Sequence, residues 1–190
     1  EGGTDPDDVF EGVFRDSWLL SAISMLAAAG GVGDEDVDPQ ILNLFICCTG
    51  ADGLLKLRSD TGIYAVRLFQ NGQWEGIVVD DIFPVDSKSG PTPALKAEKD
   101  DAGGDTPGSK AKNCGALCAY SENFTEIWVP ILEKAFAKYY GGYAALRHGF
   151  VHQALGTLTG CDTEEILLSK VSRGAGKTKL WRNLLKYQKN

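Results

Sequence analysis

The 190-residue sequence predicts an α+β fold, and three observations carry that prediction. Residues 16–29 form an apolar run in which Trp18, Leu19, Leu20, Ala22, Ile23, Met25 and Leu26 cover most sides of a helix, the mark of a buried helix. Two stretches of period two, 63–69 and 74–79, flank Asn71-Gly72, a strong signal for a tight antiparallel hairpin. A second helical period at 125–140 sets Ile127, Trp128, Ile131, Leu132, Ala135 and Phe136 on one side.

Along the chain, residues 1–11 are rich in Gly, Asp and Pro and read as a loop ordered by its surroundings. The helix over 16–29 stops at Gly30-Gly31. A short helix near Pro39 is expected to turn Ile41, Leu42 and Leu44 inward. Leu55 and Leu57, the Gly62 turn and the two hairpin strands then make a small antiparallel sheet. Residues 87–112 are dominated by Lys, Gly, Asp, Pro and Ser and read as a mobile, low-complexity insertion, too polar to bury a core. A short strand at 117–120 precedes the 125–140 helix, which Gly141-Gly142 ends. A further helix at 150–158 leads to Thr159-Gly160, where a subdomain boundary is expected. No internal repeat is present.

Composition narrows the function. With 43% hydrophobic and 24% charged residues the chain is ordinary globular material, and its net charge of −7 disfavours a nucleic-acid or anionic-membrane surface. The basic residues are uneven: residues 166–190 hold Lys170, Arg173, Lys177, Lys179, Arg182, Lys186 and Lys189 and no acidic residue. That pattern reads as a solvated face or a docking surface for an acidic neighbour. The five cysteines are odd in number, Cys47 and Cys48 are adjacent and no Cys-x-x-Cys occurs, which argues against a disulfide framework or a zinc knuckle. No apolar run approaches membrane-span length and the acidic N-terminus lacks signal-peptide character, so a cytoplasmic protein without an integral membrane segment is expected.

Taken alone, Asp16-Ser17 before an apolar helix is an N-cap. Its wider setting, Glu11-Gly-Val-Phe-Arg-Asp-Ser-Trp-Leu-Leu-Ser-Ala, resembles the active-site motif of the calpain family of calcium-dependent cysteine proteases, Gln-Gly-x-x-Gly-Asp-Cys-Trp-Leu-Leu-x-Ala. The resemblance continues in order through 74–84 (WEGIVVDDIFP), 128–138 (WVPILEKAFAK), Gly141-Gly-Tyr-Ala-Ala-Leu and 154–160 (ALGTLTG), spanning nearly the whole chain apart from the insertion. It implies the first subdomain of a papain-like protease core over residues 1–160, with a buried central helix, a small antiparallel sheet and packed helices. Residues 161–190 would begin a second subdomain, with 162–168 as its first strand and 179–187 as its first helix.

The family motif has a clear chemistry. A cysteine at a helix N-terminus is held as thiolate by the macrodipole and an imidazole, while a glutamine N–H helps stabilise the oxyanion. Here Ser17 stands at the nucleophile position, and a serine hydroxyl is not held as a stable anion in that way. Glu11 stands at the glutamine position, where an ionised carboxylate supplies only acceptors. Arg15 replaces the glycine two residues before the nucleophile. The family's catalytic histidine and asparagine lie in the second subdomain, beyond residue 190. His148 and His152 match no catalytic position and read as surface or packing residues. The reading is therefore a catalytically inactive protease-core module that binds a protein or peptide partner and the second core subdomain. The alternative is an authentic calcium-dependent endopeptidase carrying an engineered Cys-to-Ser change.

By the same register the resemblance implies a calcium site. Glu1 and Gly3 would offer carbonyls and Asp8 and Glu133 carboxylates, an oxygen-only set suited to a hard cation. Pro6 falls where the family has an arginine linking its two calcium sites. From composition alone Asp5, Asp7 and Asp8 are a solvated acidic loop. Two other patterns lead nowhere: Gly174-Ala-Gly176-Lys177-Thr178 lacks the first glycine of a phosphate loop, with Val171 in its place, and Asp80-Asp81 sit on opposite faces of a strand.

Overall fold

The computed structural model describes residues 6–29, 40–46, 62–86, 116–121, 126–171 and 174–187. Leu55 and Leu57, the insertion at 87–112, and the ends expected at Gly30-Gly31, Pro39 and Thr125 lie outside them. What is described is α+β: α1 (Ser17–Ala28), the hairpin β1 (Ile63–Gln70) and β2 (Gln73–Asp80), α2 (Trp128–Tyr140), α3 (Val151–Thr159) and α4 (Ala175–Tyr187).

The hairpin forms where the sequence places it, because Asn71 and Gly72 both take positive φ (52° and 83°), the twist that a two-residue turn between antiparallel strands requires. Register runs from Ile63 opposite Asp80 to Gln70 opposite Gln73. In β1, Tyr64, Ala65, Val66 and Leu68 are buried, so this strand is central to the core, whereas β2 alternates and leaves Trp74, Val78 and Asp80 exposed. The outer strand is tied down by α2: Lys138 Nζ donates to Val78 O at 2.6 Å, and Lys134 Nζ donates to Asp80 O (3.1 Å) and Ile82 O (2.5 Å) and pairs with the Asp80 carboxylate. That ammonium holds Asp80 below the usual carboxylate range.

The helices pack around this hairpin. α1 rests against α3, while α2 lies beside β2 and α3 beside β1. Ile23 and Leu19 of α1, Trp128, Ile131, Leu132 and Phe136 of α2, and Leu158 of α3 are all essentially inaccessible. A short 3-10 turn at Gln40–Leu44 adds Ile41 and Leu44 to the core, with Leu42 partly buried against it. Of the seven residues expected to cover α1, Leu19, Leu20, Ala22, Ile23 and Leu26 are buried and Trp18 is partly buried, but Met25 is 55% exposed.

Four expected elements require correction. No strand forms at 117–120: Ala116 bridges Val85 and Tyr120 bridges Phe10, two single pairings to different neighbours. The helix expected from 125 begins only at Trp128; Pro130 has no N–H to bond the carbonyl of residue 126, so it is accommodated in the first turn. Residues 161–167 are exposed and irregular rather than a strand, followed by a 3-10 turn at Leu168–Lys170, and the expected helix at 179–187 is longer, starting at Ala175.

Candidate active site

The segment entering α1 is shaped by one glycine. A Cβ on Gly12 would stand 2.3 Å from Leu117 O and 2.5 Å from Cys118 C, so only glycine allows this approach. On either side of it, Phe10 and Tyr120 exchange backbone hydrogen bonds (2.9 and 3.1 Å), and Val13 N donates to Leu117 O at 2.9 Å. This pinning fixes where Glu11 and Ser17 emerge. Both are exposed, and both line one cleft of about 370 Å³ with Val9, Leu20, Ser21 and Ser24. Neither His148, which is exposed, nor His152, stacked on Phe150 at 5.5 Å, lines it.

Asp16 takes the backbone position of an N-cap, and its carbonyl accepts from Leu19 N (2.8 Å) and Leu20 N (3.2 Å), but its side chain caps nothing. The carboxyl is buried and faces that of Glu133 on α2. Glu133 Oε2 accepts from Ala119 N at 2.8 Å. Glu133 Oε1 and both Asp16 oxygens meet no other donor among the described residues. Two carboxyls in that position share a proton: burial, then the Asp16 charge, pushes Glu133 up to about 9. Burial also raises Asp16, partly offset by a hydrogen bond from protonated Glu133. Tyr143, whose buried hydroxyl likewise lacks a partner, is raised by burial first and by Glu133 second. Sequence patterning gives no hint of this pair, since Asp16 before an apolar helix has the appearance of a simple cap.

Arg15 is exposed and sits at φ 59°, a left-handed conformation that a side chain disfavours and glycine accepts readily. Trp18 Nε1 donates to Leu146 O at 2.6 Å, and its ring closes on Gly149, where a Cβ would come within 2.4 Å. These contacts fasten the first turn of α1 to the 3-10 turn at Tyr143–Arg147.

A profile of calpain family cysteine proteases matches residues 1–190. The chain belongs to the calpain family of cysteine proteases. It is 30% identical to the calpain-type cysteine protease DEK1 of Arabidopsis thaliana and 31% to that of Zea mays, over 98% of this chain and 7% of each relative. It is 26% identical to the calpain-1 catalytic subunit of Gallus gallus, over 92% of this chain and 19% of that one. The chain thus spans less than a fifth of the length of these calpain-type relatives. Its α+β architecture is that of a calpain protease-core first subdomain.

The implied calcium ion can be tested against these residues. Glu133 Oε1 is a buried oxygen with no donor, the kind of acceptor a hard cation would satisfy, so the donor chemistry fits. The remaining expected ligands, Glu1, Gly3 and the Asp8 side chain, lie outside the description, and among the described residues no group of three or more His, Cys, Asp or Glu could hold a metal ion. No described helix is long and apolar enough to cross a membrane.

Proposed function

We infer that this calpain-type chain is the first subdomain of a protease core that has lost peptidase chemistry and serves as a binding or regulatory module. The observation that carries the reading is the pairing of Ser17 and Glu11 on one cleft wall. At the N-terminus of α1 a thiol would be favoured as thiolate, whereas a hydroxyl stays protonated without a strong base. At the oxyanion subsite a carboxylate repels the charge that a glutamine N–H would stabilise, and losing one such donor costs a peptidase roughly 10²–10³ in rate. The exposed helix N-terminus retains the placement of a nucleophile, which favours the rival reading of an endopeptidase altered by engineering at position 17 alone.

Residues 161–190 then open the second core subdomain, and the exposed Trp181, Leu184 and Leu185 of α4 suit burial against the remainder of it. Calcium, held by Glu133 and Asp8 carboxylates with Glu1 and Gly3 carbonyls, would neutralise the buried carboxyl pair and order the loop before α1. A cytoplasmic setting accords with the cysteine pattern, five in number with Cys47 and Cys48 adjacent, which argues against a disulfide framework.

Casein cleavage by the full-length protein in calcium tests the reading. The native residues give no cleavage, and Ser17→Cys with Glu11→Gln in the same background restores measurable turnover. Cleavage restored by Ser17→Cys alone would mean Glu11 is tolerated and would favour the endopeptidase. Calcium is tested by calorimetry, where Asp8→Ala with Glu133→Ala abolishes the binding heat; equal heats would remove the metal.

A further inference from the structure

We propose that the cleft beside α1 receives the side chain of a lysine or arginine from a partner polypeptide, its methylene stem against Val9 and Leu20 and its cationic head among Glu11, Ser21 and Ser24. This rests on the reading of the cleft as a binding site and specifies its ligand.

The cleft presents acceptors. Ser21 Oγ donates its proton to Ser17 O at 2.7 Å and Ser24 Oγ donates to Pro6 O at 3.0 Å, so each hydroxyl has only lone pairs left to offer. Glu11 adds a carboxylate, which accepts and does not donate. Among the described residues, no basic residue lines the cleft. Ser17 keeps a hydroxyl proton on the same wall, but Glu11 is the one charged group among the described lining residues, so the group that suits it is a cationic donor, and among protein side chains ammonium and guanidinium are permanently that. Val9 and Leu20 supply the apolar surface along which the stem of such a side chain lies, which distinguishes it from a bare inorganic cation.

The volume, about 370 Å³, is at the small end of ligand sites and suits one side chain rather than a whole cofactor. The partial positive charge at the N-terminus of α1 opposes a cation, but its influence fades within the first turn. Ser24 lies seven residues along, about 10 Å down the axis at 1.5 Å per residue. The head is therefore placed between Glu11 and Ser24 rather than over Ser17. The chain's net charge of −7 adds a long-range field that draws basic segments in.

The test uses the full-length protein and fluorescein-labelled octapeptides of glycine and alanine with one central lysine, arginine, norleucine or glutamate, followed by anisotropy at low salt. The lysine or arginine peptide binds about 5-fold tighter than the norleucine peptide, the upper end for a part-exposed ion pair. Glu11→Gln brings that ratio below 2-fold, and Ser24→Ala reduces it in the same direction; thermal melts confirm that both variants are folded. If Glu11→Gln melts early, Ser24→Ala and Glu11→Asp decide. Equal binding of the norleucine and lysine peptides, or a ratio indifferent to the Glu11 and Ser24 substitutions, overturns the cation subsite while leaving a peptide-binding module standing. Failure of every peptide to bind overturns both.

Discussion

Replacing Glu133 with glutamine should make the chain more stable at neutral pH. In the folded protein Glu133 holds its proton up to about pH 9, against an ordinary value of 4.5, because it is buried beside Asp16. Between those values the folded state keeps a proton that the unfolded chain releases. Stability is then fullest below the unfolded pKa and falls as pH rises, by about 1.4 kcal/mol per pH unit for one proton. From pH 5.5 to 7.5 the loss is about 2–3 kcal/mol. Asp16, also raised by burial, acts in the same direction. Glutamine keeps an oxygen for Ala119 N and offers N–H to Asp16, supplying permanently the hydrogen that the pair otherwise shares. Urea unfolding in a calcium chelator at both pH values is the assay. The stability advantage of Glu133→Gln over the native chain should grow by about 2–3 kcal/mol from pH 5.5 to 7.5. An advantage that does not change with pH would refute the shared-proton account, since acid effects elsewhere cancel in the difference.

Other substitutions probe the frame around the site. Gly12→Ala drives a methyl into the Leu117 and Cys118 backbone and should cost about 2–3 kcal/mol by urea denaturation, with loss of the Glu11–Ser17 geometry. Arg15→Gly relieves a left-handed side-chain residue and should stabilise by about 1 kcal/mol, seen as a Tm rise of roughly 2–4 °C. Lys134→Met removes the ammonium from the Asp80 and Ile82 carbonyls at the edge of β2; global stability should fall by no more than about 1 kcal/mol, while amide exchange in β2 accelerates.

The hairpin and α1 were legible because each rests on a local rule: Asn71-Gly72 dictates the turn, and the apolar run 19–27 dictates burial. The misread segments depend on distant neighbours. Residues 117–120 read as a strand in the sequence, yet the pairings at Ala116 and Tyr120 run to Val85 and Phe10, so no ladder builds. The start of α2 was readable in principle, since Pro130 cannot sit deeper than the first turn. At the site, Ser17 and Glu11 were found through the motif, and the cleft they share depends on Gly12, whose role appears only once Leu117 is seen pressed against it. The Asp16–Glu133 pair joins residues 117 positions apart, and no periodicity reports that. Residues 162–168, where a strand was expected, are exposed, and no described strand lies alongside them.

The central claim is that position 17 and position 11 together silence the cleft. The most direct measurement is calcium-dependent cleavage of casein by the full-length protein with native residues at both positions, compared with Ser17→Cys and with Ser17→Cys plus Glu11→Gln. The account predicts no cleavage by the native protein, at most a trace with cysteine alone, and a gain of roughly 10²-fold or more when glutamine is added. Cleavage by the native protein, or full activity from Ser17→Cys alone, would contradict it.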